Sequence, residues 1–507
     1  MLWLLLAVPA GAALLALALP WSVLRRGLLV AATGTHVALV MTCCLQRPAA
    51  VMYGWIALDD ASILFLATMS VVFFIVSLYT VGYLAQEEAR VAAEPPEDLP
   101  FVNFPEAVFT GCLLLFLTMM TLVILSHHWG LLGIAVEATT LASAPLIYFH
   151  RHPRSLEATW KYLVICSVGI ALALLGNFFL AVAAKACPAP ALDLVMGDLE
   201  RYACQLDPLW LKAAFMLFLV GYGTKMGLAP LHTWLPDAHS EAPSTVSALL
   251  SGVLLNCAFL AILRGHSLLV KAGLGQFSRE LLVLFGLASM TVAAMFIIRQ
   301  LDYKRLLAYS SVEHMGILTL GVGIGGIAGF GSLWHAVNHS LTKTLLFLVA
   351  GNTLAWFHSK SAREVQGVRT VLPVTGCLWL VGTLAIVGSP PFAPFLSEFA
   401  VLKGMIDGDR ILVAVWYLAM LAIVFVALSA VVIPMVYGTP ATRAADGELP
   451  GELQAPAPRR RWTLAGEPLW SVVPPLLLGV AVLVLGLYLP SELCDLLHRA
   501  ACAVGAE

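Results

Sequence analysis

Nine side chains in this 507-residue chain have the chemistry to bind and pass protons: Glu137, Lys161, Lys225, His232, His239, His335, His339, Lys343 and Glu398. Each lies in or beside a long apolar run, where an ionisable group is costly and marks a functional site by default. Burial favours the neutral form of an amine and of a carboxylate alike, which brings both toward a range where protons can be exchanged. His335, His339 and Lys343, in HAVNHSLTKTLLF, are spaced i, i+4, i+8 and share one helix face over about 12 Å of rise. Imidazoles titrate near neutral pH and carry separate donor and acceptor nitrogens, so this face can shuttle protons. The same spacing also suits hydrogen bonds that merely hold helices together. Glu313 and His314 accompany the group. No metal site is expected, because HxxxH lacks the glutamate of HExxH and no third ligand is evident. Haem ligation by histidines of two helices is compatible with the spacing.

The remaining candidates have alternatives of their own. Lys161 lies close to the end of its apolar run and is either a relay or a snorkelling side chain. Glu137 and Lys225 are opposite charges that form either a proton-exchanging pair or a static buried ion pair, and the latter is weak evidence for stability. Glu398 stands five residues before Lys403, a poorer pairing geometry than i, i+4, which favours a role in proton release.

Such groups need a scaffold at membrane depth, and the composition supplies one. Hydrophobic residues make up 60% of the chain and charged residues only 11%, against about 25% charged in soluble domains. Apolar runs long enough to cross about 30 Å of hydrocarbon recur throughout. A soluble enzyme, a nucleic-acid binder and a disordered chain are thereby excluded. The fold expected is an all-α polytopic membrane protein of about fourteen transmembrane helices. The windows fall near 2–20, 27–46, 60–84, 107–126, 130–149, 158–184, 209–239, 243–263, 278–298, 305–321, 328–357, 371–404, 411–437 and 469–489. Polar linkers occupy 85–106, 185–208 and 438–468.

The seventh and twelfth windows are too long and too broken for simple helices. GYGTKMGLAPLHTWLPDAH places Pro230 and Pro236 mid-membrane, and AIVGSPPFAPFLSEF does the same with Pro390, Pro391 and Pro394. Pro230 removes its own N–H and frees the carbonyl of Met226. Freed backbone at that depth must be buried in protein or line water. Paired interrupted helices in corresponding positions point to a repeat-built transporter with a midplane site.

Odd-numbered loops hold about fifteen basic residues and even-numbered loops about nine, which places both termini outside and the odd loops, with the Arg459–Arg461 run, in the cytoplasm. The first apolar run precedes Arg25 and Arg26, so it reads as a retained span and not a cleaved signal. The ten cysteines form no CxxC, which argues against zinc, iron–sulfur and c-type haem centres. Cys187, Cys204, Cys494 and Cys502 fall in segments expected to face an oxidising compartment, where a disulfide could persist. The net charge of −2 gives no reason to invoke nucleic acid.

GYGTKMGLAPLHTWLPDAHSEAPSTVSALLSGVLL (221–255), DYKRLLAYSSVEHMGI (302–317) and HAVNHSLTKTLLFLVAGN (335–352) resemble the antiporter-like proton-pumping subunits. That family is shared by complex I, Mrp cation/proton antiporters and membrane-bound [NiFe] hydrogenases. The resemblance covers roughly 105–405. Within it, VEATTLASAPLI (136–147), SLEATWKYLVICSVGIALALLG (155–176) and SSVEHMGI are most similar to the F component of hydrogenase-4 and its formate hydrogenlyase relatives. The resemblance implies two inverted five-helix repeats with broken helices seven and twelve. It also implies that Glu137 and Lys225 are the family's glutamate–lysine pair, that His335, His339 and Lys343 form the central hydrophilic axis, and that Glu398 is the terminal residue of the path. Several relatives carry lysine in span eight where this chain has Asn256, so His232 or His239 would have to bridge that gap. With the sequence ending soon after its last apolar window, the long lateral helix of the largest complex I relative is not expected.

Three parts are therefore expected: N-terminal helices in 1–104, the proton-translocating core in 105–405, and C-terminal helices with a polar loop in 406–507. The function expected is proton translocation in a multisubunit redox complex of a bacterial or archaeal inner membrane, of hydrogenase-4 or formate-hydrogenlyase type. The chain would hold no cofactor of its own. Its partners would be other membrane subunits and peripheral subunits with Ni–Fe and Fe–S centres; protons would be the cargo, with Na+ the alternative ion. The rivals are an Mrp-like cation/proton antiporter or inorganic-carbon uptake module without redox partners, and a haem-carrying electron-transfer subunit.

Overall fold

A computed structural model describes residues 1–93, 102–185, 187, 193–439 and 463–506. The Arg459–Arg461 run and parts of the three polar linkers (94–101, 186, 188–192 and 440–462) lie outside the described residues. The described residues are predominantly helical, with two short β-pairings. It opens with α1 (Leu2–Ala18), α2 (Ser22–Gln46) and α3 (Asp60–Ala93). Next come α4 (Glu106–Leu125), α5 (Trp129–Ile147), α6 (Pro153–Ala184), the short α7 (Met196–Arg201), and the interrupted pair α8 (Pro208–Met226) and α9 (Trp234–Glu241). A π-helical turn over 250–254 joins α10 (Ser244–Leu249) to α11 (Leu255–Lys271). The second half follows as α12 (Gly275–Ile297), α13 (Tyr303–Ile324), α14 (Ile327–Phe357), short α15 (Val368–Val371), the interrupted pair α16 (Pro373–Ile386) and α17 (Ala393–Asp407), and α18 (Ile411–Tyr437). The chain closes with α19 (Leu469–Leu487) and α20 (Ser491–Ala503).

Every apolar window coincides with a helix or an interrupted pair. Among the described residues, nine helices are long and apolar enough to cross a membrane. Helices α13 and α14 have the length, but Glu313, His314, His335, His339 and Lys343 lower their mean hydropathy. Burial sorts centre from rim. The most apolar stretch of the Ser244–Lys271 segment is 100% buried, whereas that of α18 is only 28% buried and presents Leu412, Val415, Val426 and Ile433 outward. Such outward apolar faces are what lipid or a membrane partner covers.

The connecting segments sort to two ends. At one, Val102–Asn103 pairs with His150–Arg151, and Asp302 bridges to Ser361. Arg26 there binds Glu88 at 2.7 Å and Glu106 at 2.5 Å. Glu467 caps α16, accepting from Val374 N at 2.7 Å. At the other end, Ile56 bridges to Ser126 and His128 to Val195, while Arg410 meets Glu280. The amphipathic α20 lies at this second end, where Arg499 binds Asp60 at 3.1 Å and the Gly505 carbonyl accepts from His266 at 3.2 Å. Odd-numbered loops occupy the first end and even-numbered loops the second, as alternating spans require. A cytoplasm-only reporter fused at Lys360 is expected to be active, and one fused after Asp409 silent. The reverse pattern in colony assays would invert the orientation.

The interruptions have a different cause from the one expected. Proline does not end either first segment; glycine does. After α8, Gly227 adopts φ 84°, its N–H donates to the Thr224 carbonyl at 3.2 Å, and Leu228 N donates to the Gly223 carbonyl at 2.8 Å. After α16, Gly388 adopts φ 67°, its N–H donates to the Ala385 carbonyl at 3.2 Å, and Ser389 N donates to the Leu384 carbonyl at 3.0 Å. Both are Schellman closures, which use a left-handed glycine to satisfy the last carbonyls. Pro230 and Pro391 follow three residues after their glycines, each in a cis peptide bond. Pro236 lies in the first turn of α9, where an N–H has no intrahelical partner anyway. The rest of the first break is satisfied from neighbours: Ser289 accepts from Ala229 N at 2.9 Å, and Trp234 Nε1 donates to the Thr224 carbonyl at 2.8 Å.

Candidate functional site

The first half holds a compact polar cluster between α5, α6 and α8. Lys225, in the last turn of α8, is fully buried. Its Nζ donates to Thr140 Oγ1 at 2.8 Å and to the Tyr162 hydroxyl at 2.6 Å, and lies 4.5 Å from the Tyr162 ring centroid. Glu137 is not in direct contact with it. Its Oε1 accepts from Ser167 Oγ at 2.6 Å, and its Oε2 has a longer 3.5 Å contact with Thr140 Oγ1. The expected ion pair is thus bridged by a hydroxyl. Tyr162 continues the line to Ser143 Oγ at 2.6 Å. Helices α6 and α8 come close enough for this because glycines face each other: a Cβ on Gly221 would meet the Gly169 carbonyl at 2.6 Å.

The second half is organised around α14. His335, His339 and Lys343 are completely buried and all face α13. Lys343 Nζ donates to the Leu307 carbonyl at 2.9 Å and to Ser310 Oγ at 2.7 Å. Glu313 is the carboxylate among its charge neighbours. His339 lies 5.4 Å ring to ring from His314, and His314 Nδ1 lies 2.9 Å from His335 Nε2. His335 Nδ1 in turn meets Ser397 Oγ at 2.9 Å. Ser397 also receives Asn338 Nδ2 at 3.1 Å and has the Pro394 carbonyl at 2.9 Å. A hydroxyl has one proton, and a carbonyl can only accept. Serving Pro394 therefore makes Ser397 an acceptor from His335, which puts the ring proton on Nδ1 and leaves Nε2 as a lone pair toward His314.

Glu398 completes this group from α17. Its Oε1 stands 4.0 Å from His314 Nδ1. Its other oxygen rests against Gly388 in the second break, so closely that a Cβ there would overlap it. The alternative pairing with Lys403 does not form, because Lys403 binds Asp407 on the exposed side of α17.

The other candidates are distributed less centrally. Lys161 is a surface residue whose side chain is 45% exposed, bound to Glu157 at 2.7 Å and Asp237 at 2.9 Å. His232 lies beside the Phe296 and Tyr309 rings. His239 stacks on Phe347 of α14 at 5.0 Å and counts Lys304 and Lys343 among its charge neighbours. Of the two histidines considered as bridges, His239 is the one beside the α14 axis. Asn256 spends its amide on α14, donating to Ser340 Oγ at 2.7 Å and to the Ala336 carbonyl at 3.3 Å. One turn before it, the π turn brings Gly252 against α14, where a Cβ would meet the Ser340 carbonyl at 3.1 Å. Single-turn π segments are frequent at functional sites.

Several participants escaped the sequence. Thr140 and Ser143 follow Glu137 at i+3 and i+6, a spacing that could have placed them on its face. Tyr162, Ser310 and Ser397 carry no comparable signal. Two buried cations were also missed. Lys304 donates to the Ala242 carbonyl at 2.5 Å, and Arg264 to Ile124 O at 2.7 Å and Ser62 Oγ at 3.0 Å. Arg264 thereby closes the C-terminus of α4, where carbonyls lack intrahelical donors. Cys187, Cys204 and Cys494 carry free thiols.

Comparison with known proteins agrees with this architecture. Residues 126–426 match the family model described as NADH:quinone oxidoreductase/Mrp antiporter, transmembrane. The chain is 37% identical to the hydrogenase-4 component F homolog of Methylacidiphilum infernorum over 358 residues, covering 70% of this chain and 74% of that protein. It is 29% identical to hydrogenase-4 component B of Escherichia coli over 367 residues, 70% of this chain but only 51% of that longer protein. In fold it is similar to a chain of an archaeal membrane-bound sulfane sulfur reductase (TM-score 0.82, 21% identity, 99% and 97% of the two chains). A chain of the Mrp complex from Dietzia is comparably similar (TM-score 0.79, 18% identity, 100% and 97%).

Proposed function

The chain belongs to the NADH:quinone oxidoreductase/Mrp antiporter membrane family, and on that premise we propose that it is the proton-translocating subunit of a hydrogenase-4-like redox complex. It is an antiporter-like multi-pass membrane subunit; electron transfer would take place in partner subunits bearing Ni–Fe and Fe–S centres. The observation that carries the reading is the placement of buried ionisable groups beside two glycine-closed helix breaks. Lys225 stands two residues before the first glycine, and Glu398 touches the second. The proposed core is 105–405, with about fourteen spans, two inverted repeats and both termini outside. The proposed order is Glu137, Lys225, His239, Lys343, the histidines of α13 and α14, then Glu398. Lys161 and His232 would act at the edge of this line, Lys161 at the surface.

The similarity to the component F homolog favours hydrogenase-type partners over an antiporter without them. An affinity-tagged full chain purified from its native membrane is expected to bring down subunits containing nickel and non-haem iron. The same preparation in vesicles should acidify or alkalinise the lumen only when electron donor and acceptor are both supplied. Proton movement driven by a Na+ gradient alone, without redox partners, would replace this reading with the cation-antiporter one. A haem absorption band belonging to the chain would replace it with the electron-carrier one.

A further inference from the structure

We propose that His314, His335 and Glu398 form a binding site for one divalent transition-metal ion of the zinc class. The three ligand atoms come from three helices, α13, α14 and α17, and lie within 4.8 Å of one another. Two imidazoles and a carboxylate are a donor set that zinc and cobalt accept, usually with water in a fourth position. Ligands about 2.0–2.1 Å from a tetrahedral ion sit roughly 3.3 Å apart. The observed 2.9 Å between His314 Nδ1 and His335 Nε2 and 4.0 Å between His314 Nδ1 and Glu398 Oε1 bracket that separation. The third separation, between His335 and Glu398, is no more than 4.8 Å, so an inward turn of the Glu398 carboxylate brings all three ligands to one ion.

Three further features suit a ligand and not a simple hydrogen-bond cluster. Glu398 Oε1, the oxygen toward His314, has no hydrogen-bond partner among the described residues although it is buried. The Glu398 carboxylate is fixed from behind by Gly388, so its free oxygen is held toward the histidines. The ring of His335 is oriented by Ser397, which is itself held by Asn338 and the Pro394 carbonyl. Metal-binding histidines show this pattern, donating the distal N–H to a fixed acceptor while the other nitrogen faces the ion. Binding would displace the proton shared between the two imidazoles and replace it with the ion.

The ligands also lie at one depth. Each is roughly ten residues, or about 15 Å, from the end of its helix at the Arg410 and α20 side. Loss of proton flux on metal binding rests on the proton path proposed above; the binding itself does not.

The test uses the full purified chain and Co2+ as an optical probe. One Co2+ per chain is expected, with visible d–d absorption typical of low coordination number, displaced by Zn2+. Glu398→Gln, which keeps shape, and His335→Gln should each weaken binding about tenfold or more. A Cys494→Ser/His498→Ala variant, which removes the thiol–imidazole contact exposed on α20, should bind as the parent does. Thermal unfolding of each variant reports whether the fold is retained. No Co2+ bound by the parent, or equal binding by folded His335→Gln, would overturn the site. So would loss confined to the α20 variant. If Co2+ binds as described but Zn2+ at a concentration that saturates the site leaves proton flux unchanged, the site stands and the path through it fails.

Discussion

Lys225→Ala is expected to reduce proton translocation by the assembled complex about tenfold or more, a change of at least ~1.4 kcal/mol in the limiting barrier. Among the described residues Lys225 is the only buried cation in the α5–α6–α8 cluster, and its hydrogen bonds there go to Thr140 and Tyr162, both hydroxyls. Such neighbours can relay a proton but cannot hold a positive charge, so the alanine variant leaves no replacement. Glu137→Gln should have a comparable effect, since the amide keeps the contact from Ser167 but cannot accept the proton. Thr140→Val separates the relay from the static ion-pair reading. Valine matches threonine in shape and removes the hydroxyl between Glu137 and Lys225, so a relay predicts a clear loss of flux. Were the two charges only a packing device, Thr140→Val would alter thermal stability while flux in vesicles stayed at the parent level. Recovery of each variant in the intact complex is the control that separates loss of transport from loss of assembly.

The expectation of a direct Glu137–Lys225 pair illustrates where sequence reading stops. Charge type and burial were legible because a lysine in an apolar run has few innocent explanations. The intervening Thr140 was not, since threonine is common in helices and its role depends on which helix faces it. The helix breaks show the same limit. Prolines drew attention to both segments, but the chain turns at Gly227 and Gly388, whose positive φ becomes visible only in the backbone. Pro236, read as a breaker, starts a helix instead. HxxxH on α14 suggested that His335 and His339 would act together. In three dimensions His335 joins His314 and Glu398 from two other helices, a grouping that no local spacing encodes. Lys161 was ambiguous in sequence for a physical reason: a lysine near a helix end can reach water. Here it does, and it binds Asp237 and Glu157 at the surface.

Glu398→Gln is expected to abolish proton release while Lys403→Ala retains most of it. The structure separates these residues. Lys403 forms an i, i+4 pair with Asp407 on the exposed side of α17, an arrangement worth only a few tenths of a kcal/mol. Glu398 points the other way, into the group of His314, His335 and Ser397, and it is the only carboxylate of α17 on that side. Glutamine preserves its size and one acceptor oxygen but cannot take up and give back a proton. A third variant tests position apart from chemistry. Gly388→Ala keeps the carboxylate, yet its Cβ would overlap the carboxylate oxygen, and the backbone there has φ 67°, which alanine adopts only under strain. It should therefore displace Glu398 from His314 and lower flux strongly, whereas the exposed Lys403→Ala leaves that contact intact. Flux in vesicles containing the assembled complex decides the matter. Equal losses in Glu398→Gln and Lys403→Ala would assign the effect to α17 packing. A normal rate in Glu398→Gln would move the exit to another residue, and Gly388→Ala would then be expected to lose stability without losing transport.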